Sequence, residues 1–428
     1  MEILRSIIGI AAFIGIAWAL SENRKYNSWR LIASALGLQF VLAFLVLKVP
    51  FVAVIIDGAT QFFISMIAFA NDGAASVFGK LNTEAPNYGT IIGFRVLPAV
   101  LFFSALTAVL YYYGIPQKLV YALAWLMSRT MKLSGAESLA AAANVFFGQT
   151  QAPLVVKPYL EKMTRSEIMA LMTGGFATVS GTLFGAYVIA LAGEDPVQQE
   201  LFGKHLISAS ILSAPAALLF AKLMVPETNR GSDSLEMTNA DTGTNVFDAV
   251  CQGTTEGLRL ALNVGAMLIV FIAMVTMVNY LIGDVFGAQT GLNVWVENIT
   301  EGRFDRFSLE FVFGILFAPF AWLIGVNNSD LMVAGQLLGQ KMVINEFVAF
   351  LSLGELKSTG MITDERSIIL ISYALCGFSN FASMGIQIGG ISSVCPSQRP
   401  TICALALKAL IAGSLACFAT ACVAGVFL

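Results

Sequence analysis

Asn144-Val145-Phe146-Phe147-Gly148-Gln149-Thr150-Gln151-Ala152-Pro153 is the stretch on which the reading of this chain turns. It joins two apolar pieces, Leu139 to Phe147 and Ala152 to Leu160. Each is too short to cross a bilayer, whose core of roughly 30 Å takes about 20 helical residues. Short apolar helices separated by Gly148-Gln149-Thr150-Gln151 read as a re-entrant hairpin, with Pro153 placed to open the second helix. Its tip would carry side-chain amides, a hydroxyl and free backbone groups to the middle of the membrane. Such neutral donors and acceptors suit a neutral, hydrogen-bonding solute.

Composition supports a membrane setting. Hydrophobic residues make up 57% of the 428 residues, charged residues 12%, and the mean hydropathy is +0.78. That leaves too little polar surface to coat a soluble globule. The pattern predicts an all-α polytopic membrane protein with about eight spans and two re-entrant hairpins. Ile3 to Leu20, lacking a small-residue cleavage site, reads as a retained helix. The cations Arg24, Lys25 and Arg30 place the loop after it in the cytoplasm, and so the N-terminus outside. Phe51 to Ala70 either crosses or lies along the interface, and Tyr111-Tyr112-Tyr113 suits an aromatic belt. Gln117 to Met131 reads as a connecting helix.

Other classes of function find no support. The six cysteines form no CxxC pair, and His205 has no neighbouring ligand, so zinc and triad chemistry are not indicated. A net charge of −3 spread over loops is no nucleic-acid footprint.

The pattern of the first half returns in the second. A span from Glu167 to Ala192 is interrupted by Thr178, Ser180, Gly181 and Thr182. Beyond the polar linker Pro226 to Thr244, apolar Phe311 to Ile324 is cut by Gly325-Val326-Asn327-Asn328-Ser329-Asp330, and Leu331 to Phe350 follows. The span Ser367 to Ile388 is then interrupted at Gly377 to Ser383. Paired interruptions in two halves point to a midplane binding site in a transporter, because backbone freed by a helix break persists in hydrocarbon only where something satisfies it. On this reading the hairpin and the broken helix are spaced differently in the two halves.

Glu346 stands in the otherwise apolar Met342-Val343-Ile344-Asn345-Glu346-Phe347-Val348-Ala349. A carboxylate there costs at least a few kcal/mol unless paired or hydrated, which marks it as functional, with a salt bridge to Lys341 or Lys357 as the alternative. It suits sugar hydroxyls, a cation or a proton. Asn380 and Ser383, three apart, share a helix face that Glu346 can join, and Phe378 offers an apolar wall.

Gly148-Gln149-Thr150 with Ala152-Pro153, Ala177 to Thr182, Asn345 to Ala349 and Cys376 to Phe381 resemble the signatures of the concentrative nucleoside transporters, as do Phe69 to Gly73 and Val77 to Gly79. The resemblance covers nearly the whole chain. It implies a bacterial inner-membrane symporter for nucleosides that is not an enzyme: a homotrimer with inverted-repeat-like halves, whose transport domain moves like an elevator, driven by sodium or, in some members, protons. Residues 1–133 would be scaffold spans and an interfacial helix, 134–225 the first hairpin and broken helix, 226–306 linker and scaffold span, and 307–428 the second hairpin, broken helix and last span. By motif match, Gln149, Thr150 and Gln151 would face the base, with Leu183 beside it. Glu346, Asn380 and Ser383 would face the ribose, lined by Phe378. Asn144, Thr178 and the carbonyls of Phe147 and Val179 would hold sodium, the coupling ion; no other cofactor is implied. Gln151 departs from the glutamate usual in the family, which bears on the bases accepted. An intramembrane enzyme would need a nucleophile with a base, a metal cluster or paired aspartates, and a channel fits two broken helices less well than alternating access does.

Overall fold

The computed structural model describes residues 2–79, 81, 92–193, 195–228, 244–300 and 302–428. Most of the polar linker read at Pro226 to Thr244 lies outside the described residues. Those described form helices and their connections, without a strand. Among the described residues, six helices are long and apolar enough to cross a membrane, seven if the bent pair Val96–Tyr112 and Ile115–Met131 is one span. Phe51 to Ala70, read as either crossing or interfacial, is part of the 29-residue helix Pro50–Phe78, one of the six. Glu2–Ala19 and the helices on either side of the interruption near Gly377 are shorter than these six.

Buried helix ends need partners for their free N–H groups, and polar residues placed at each start supply them. Ser134 with Glu137, and Thr164 with Glu167, form capping boxes that open the first hairpin and the helix Arg165–Ala177. Asp195, Asn345, Asp364 and Asn380 cap Pro196–Met224, Glu346–Ser358, Glu365–Leu375 and Phe381–Val394.

The first hairpin turns more sharply than expected. The helix Gly135–Val155 is broken at Gly148 alone, with φ 72° and ψ −179°, so Gln149, Thr150 and Gln151 already belong to the second limb. Pro153 consequently sits inside that limb and does not open it.

The second hairpin lies elsewhere than the sequence suggests. Its limbs are Leu331–Val343 and Glu346–Ser358, and its tip is Ile344-Asn345, not Gly325 to Asp330. Leu309–Ile324 is a separate helix laid against the first limb through glycines. A Cβ on Gly335 would lie 2.4 Å from the Gly314 carbonyl oxygen, and one on Gly339 2.4 Å from the Phe313 Cβ. Small residues allow such backbone approach within membranes. The tip is hidden in the sequence because Met342-Val343-Ile344 is apolar without glycine or proline; its signal is Asn345, an N-cap accepting from the Val348 N–H.

Placing the tip there brings the halves into register and corrects the expected difference in spacing. A tip at Gly148 precedes a break at 178–180 and the 29-residue Pro196–Met224. A tip at 344–345 precedes a break at 376–380 and the 29-residue Arg399–Phe427. These hairpins, broken helices and long helices form most of the buried core, whereas Pro50–Phe78 and Val246–Asn279 keep mostly exposed, apolar surfaces.

Charge fastens the base of the first hairpin. Lys222, on Pro196–Met224, forms an ion pair with Glu137, each side chain only 4% exposed. It also donates to Ser166 Oγ at 3.0 Å and Glu227 Oε2 at 3.3 Å. In the loop after the first helix, Glu22 pairs with Arg165 at 2.8 Å and Lys408 at 2.6 Å. The Arg165 guanidinium, opposed by partial burial and aided by Lys408, holds the Glu22 carboxyl down at about 2.

Lys222→Met leaves Glu137 buried without its cation and lowers stability by about 3–5 kcal/mol, most of it recovered when Glu137→Gln is added. Denaturant or thermal unfolding of the detergent-solubilised protein measures both; equal stability of the single and double variants would contradict the pairing. Gly148→Ala forces a positive φ on an L-residue and places its Cβ 2.7 Å from the Ser180 Cβ, so it destabilises by about 1–3 kcal/mol. Gly385→Ala, with open space around it, changes stability by less than about 1 kcal/mol in the same unfolding measurement.

Candidate functional site

Both tips and both breaks meet in one place. At the breaks the backbone bonds across the halves, the Phe378 N–H donating to the Thr178 carbonyl at 3.3 Å. The first tip rests on both: a Cβ on Gly148 would lie 2.7 Å from Ser180 and 3.6 Å from the Phe378 ring.

Glu346 begins the second limb of its hairpin, where the helix N-terminus favours negative charge. Its oxygens accept from Tyr187 Oη at 3.0 Å and Asn380 Nδ2 at 2.7 Å. The salt bridge considered from sequence does not form. Lys341 Nζ donates to the Ala374 carbonyl at 2.8 Å, and Lys357 Nζ to Gln198 Oε1 at 2.6 Å. Asn380 is held in turn, its Oδ1 accepting from the Ser383 N–H at 2.7 Å as the helix cap.

On the side of the first hairpin, Gln149 Nε2 donates to Ser383 Oγ at 3.2 Å, and Gln387 Nε2 donates to Gln149 Oε1 at 3.2 Å. Gln151 is half-buried and accepts from Tyr111 Oη at 3.4 Å; Thr150 is exposed. Leu183 and Phe378 are buried apolar walls. Glu346, Asn380, Ser383, Gln149 and Phe378 thus converge, while Thr150 and Gln151 stand at the edge.

Asn144 is 1% exposed, and its Nδ2 donates to the carbonyls of Ala140 and Leu171 at 3.0 and 3.1 Å. Its Oδ1 is buried without a hydrogen-bond partner. Thr178 Oγ1 donates to the Asn144 and Gly174 carbonyls at 3.0 and 2.8 Å, tying the first limb to the break. No donor among the described residues meets the Val179 carbonyl. Neutral oxygens gathered at a helix break are the donor set that a sodium ion takes in transporters. Gly174 makes room, since a Cβ there would lie 2.7 Å from Asn144 Nδ2.

Three residues of the site go beyond those expected from sequence. Tyr187 lies one turn beyond Leu183, and Gln387 one turn beyond Ser383; a hydroxyl or amide at that spacing in an apolar helix is the available signal. Tyr111, expected in an aromatic belt, instead has its ring 4.2 Å from that of Phe147 at the hairpin. His205 lies apart from the site, bonded to Tyr373 Oη at 3.2 Å.

Comparison with known proteins places this architecture. Family models described as "Na+ dependent nucleoside transporter" match at residues 8–81 for the N-terminus and 205–425 for the C-terminus, and one described as "Nucleoside recognition" matches 93–194. An uncharacterized transporter of Haemophilus influenzae is 40% identical, covering 100% of this chain and 98% of the relative. The sodium/nucleoside cotransporter 1 of Mus musculus is 34% identical over 99% of this chain, which spans 64% of that longer protein. Among solved structures, CNTnw in an inward-facing substrate-bound state matches with a TM-score of 0.88 and 39% identity, covering 100% of this chain and 99% of that one. An outward-facing variant of CNTnw matches with a TM-score of 0.89 and 39% identity, covering 100% and 98%. With both halves of the fold, the convergent tips and relatives matched along its full length, this chain belongs to the Na+-dependent, concentrative nucleoside transporter family, whose members are integral membrane transporters and not enzymes.

Proposed function

We propose that this protein imports nucleosides by sodium symport with elevator-type alternating access, as a homotrimer in a bacterial inner membrane. The observation that carries the reading is the bonding of Glu346. A buried carboxylate hydrogen-bonded by the neutral donors Tyr187 and Asn380, with Lys341 and Lys357 bonded elsewhere, keeps acceptor capacity for the hydroxyls of a ribose. Gln149, Thr150 and Gln151 take the base, with Leu183 beside it; Glu346, Asn380 and Ser383 take the ribose, against Phe378.

In the structure the polar groups of the site pair with one another, Gln149 with Ser383 and Gln387, Glu346 with Asn380 and Tyr187. A solute is therefore accepted only if it replaces the bonds it displaces. A site built this way rejects an analogue lacking a needed hydroxyl, because its own buried group is left bare.

Sodium enters beside the first tip, held by Asn144 Oδ1, Thr178 and the carbonyls of Phe147 and Val179. The unpartnered Asn144 Oδ1 supports this assignment. A cation there orders the tip that carries Gln149, so nucleoside binding orders less, and linkage makes the help reciprocal. The mouse relative bears sodium and nucleoside in its name, and CNTnw has been solved in inward-facing, outward-facing and intermediate states, which supports both coupling and alternation. The buried hairpins and broken helices suit a moving body, and the exposed apolar faces of Pro50–Phe78 and Val246–Asn279 suit a scaffold that meets lipid and other copies. A second reading, proton coupling through Glu346, is favoured by the same bonding to the neutral donors Tyr187 and Asn380.

Uptake of labelled uridine into proteoliposomes tests the function directly. Accumulation under an inward sodium gradient is expected; accumulation under a proton gradient alone selects the second reading, and none under either gradient overturns the nucleoside assignment for uridine. Glu346→Gln weakens ribonucleosides by roughly tenfold to hundredfold, the worth of a hydrogen bond to a charged group, and analogues lacking the ribose hydroxyls far less. Equal loss for both would refute the ribose role. Asn144→Ala raises the sodium concentration for half-maximal uptake before it alters nucleoside preference, and an unchanged sodium dependence would remove that cation site.

A further inference from the structure

Gln149 can point its side-chain amide in two directions, which differ in whether a donor or an acceptor meets a solute. Nothing within Gln149 decides between them. Ser383 does not decide either, because its hydroxyl both donates and accepts. The deciding group lies one residue further along the chain of hydrogen bonds. Gln387 Nε2 donates to Gln149 Oε1 and also to the Met172 carbonyl, each at 3.2 Å. A backbone carbonyl only accepts, so Met172 holds the NH2 end of Gln387 toward itself. With that end fixed, Gln149 presents Oε1 to Gln387 and Nε2 to Ser383.

Packing holds the relay in place. Gln387 is 1% exposed, and its own Oε1 is buried without a partner. Gly175 faces the pair: a Cβ there would lie 2.7 Å from Gln387 Nε2 and 3.0 Å from the Gln149 Cβ. The neighbouring Gly174 gives the same clearance to Asn144. Adjacent glycines on Arg165–Ala177 thus admit the amide of Gln387 on one side and the amide of Asn144 on the other.

We propose that Gln387 is a positioning residue that sets the direction of the Gln149 amide from the Met172 carbonyl, and thereby which base edge the transporter accepts. This rests on the assignment of Gln149 to the base. Gln387→Glu tests the direction itself. Its carboxyl, protonated in this buried place, sets its hydroxyl oxygen where the amide NH2 stood; the single proton goes to the Met172 carbonyl, and a lone pair of the same oxygen faces Gln149. The Gln149 amide then turns over, giving its NH2 to that oxygen and accepting from the Ser383 hydroxyl. Gln387→Met removes the directing group while keeping a similar volume.

The experiment measures inhibition of labelled uridine uptake by uridine and by cytidine, which share a ribose and differ along one edge of the base, an acceptor oxygen beside a ring N–H donor in one and a donor amine beside a ring nitrogen acceptor in the other. A deoxyribose analogue of each provides the ribose control. Gln387→Glu shifts the uridine-to-cytidine preference by roughly three- to tenfold, the worth of one neutral hydrogen bond, with ribose discrimination unchanged. Gln387→Met moves the preference toward parity. Combined with Gln149→Ala, Gln387→Glu produces no further shift, since the residue it acts through is gone. An unaltered preference in both Gln387 variants, with Gln149→Ala still shifting it, overturns the relay and leaves the base role of Gln149 intact. An unaltered preference in Gln149→Ala as well overturns that role. Loss of affinity for all nucleosides and analogues alike, with preference unchanged, assigns Gln387 to packing and also overturns the proposal.

Discussion

A helix broken inside a bilayer frees backbone groups that no water can reach, and everything at the centre of this protein answers that cost. The breaks at 178–180 and 376–380 lie against each other, and the Phe378 N–H finds the Thr178 carbonyl in the opposite half. Ser180, Asn345 and Asn380 cap the helices that restart beyond the breaks and the second tip. Each break thus supplies a partner to the other, and polar groups of both halves gather where they meet.

Side chains at the centre serve two partners at once. Asn380 caps its own helix through Oδ1 and gives its NH2 to Glu346, so one residue fixes both the backbone and the carboxylate. Thr178 fastens the first limb of the hairpin to the break through the Asn144 and Gly174 carbonyls. Glycine contributes in a different way. At 148 it supplies a positive φ, and at 174 and 175 it supplies the clearance that lets amides lie against a helix. The amides of Asn144 and Gln387 therefore share one short helix, Arg165–Ala177, as a common wall.

Ion pairs gather away from this centre. Lys222, Glu137 and Glu227 gather at the base of the first hairpin, and Glu22, Arg165 and Lys408 tie the loop after the first helix to two helices of the core. These pairs set where the hairpin is anchored, while its tip is held by neutral hydrogen bonds that a solute can exchange at little cost.

From sequence alone come the membrane, the two broken helices, the first tip with Gln149, and the group Glu346, Asn380 and Ser383, because each rests on a local signal: apolar length, glycine, or a polar residue where hydrocarbon should be. The second tip at Ile344-Asn345 is not legible there, since Val343 and Ile344 carry no breaker and the cap at Asn345 looks like any polar residue until the Val348 N–H is seen on it. The roles of Tyr111, Tyr187 and Gln387 escape the sequence for a different reason. Their partners Gln151, Glu346 and Gln149 lie far away in the chain, and a tyrosine or glutamine on an apolar helix has no local feature that names its partner. Sequence determined which residues were too polar for their surroundings. Only the tertiary structure decided which of them satisfy one another, because hydrogen bonding between distant helices depends on how the two halves close together and not on spacing within either.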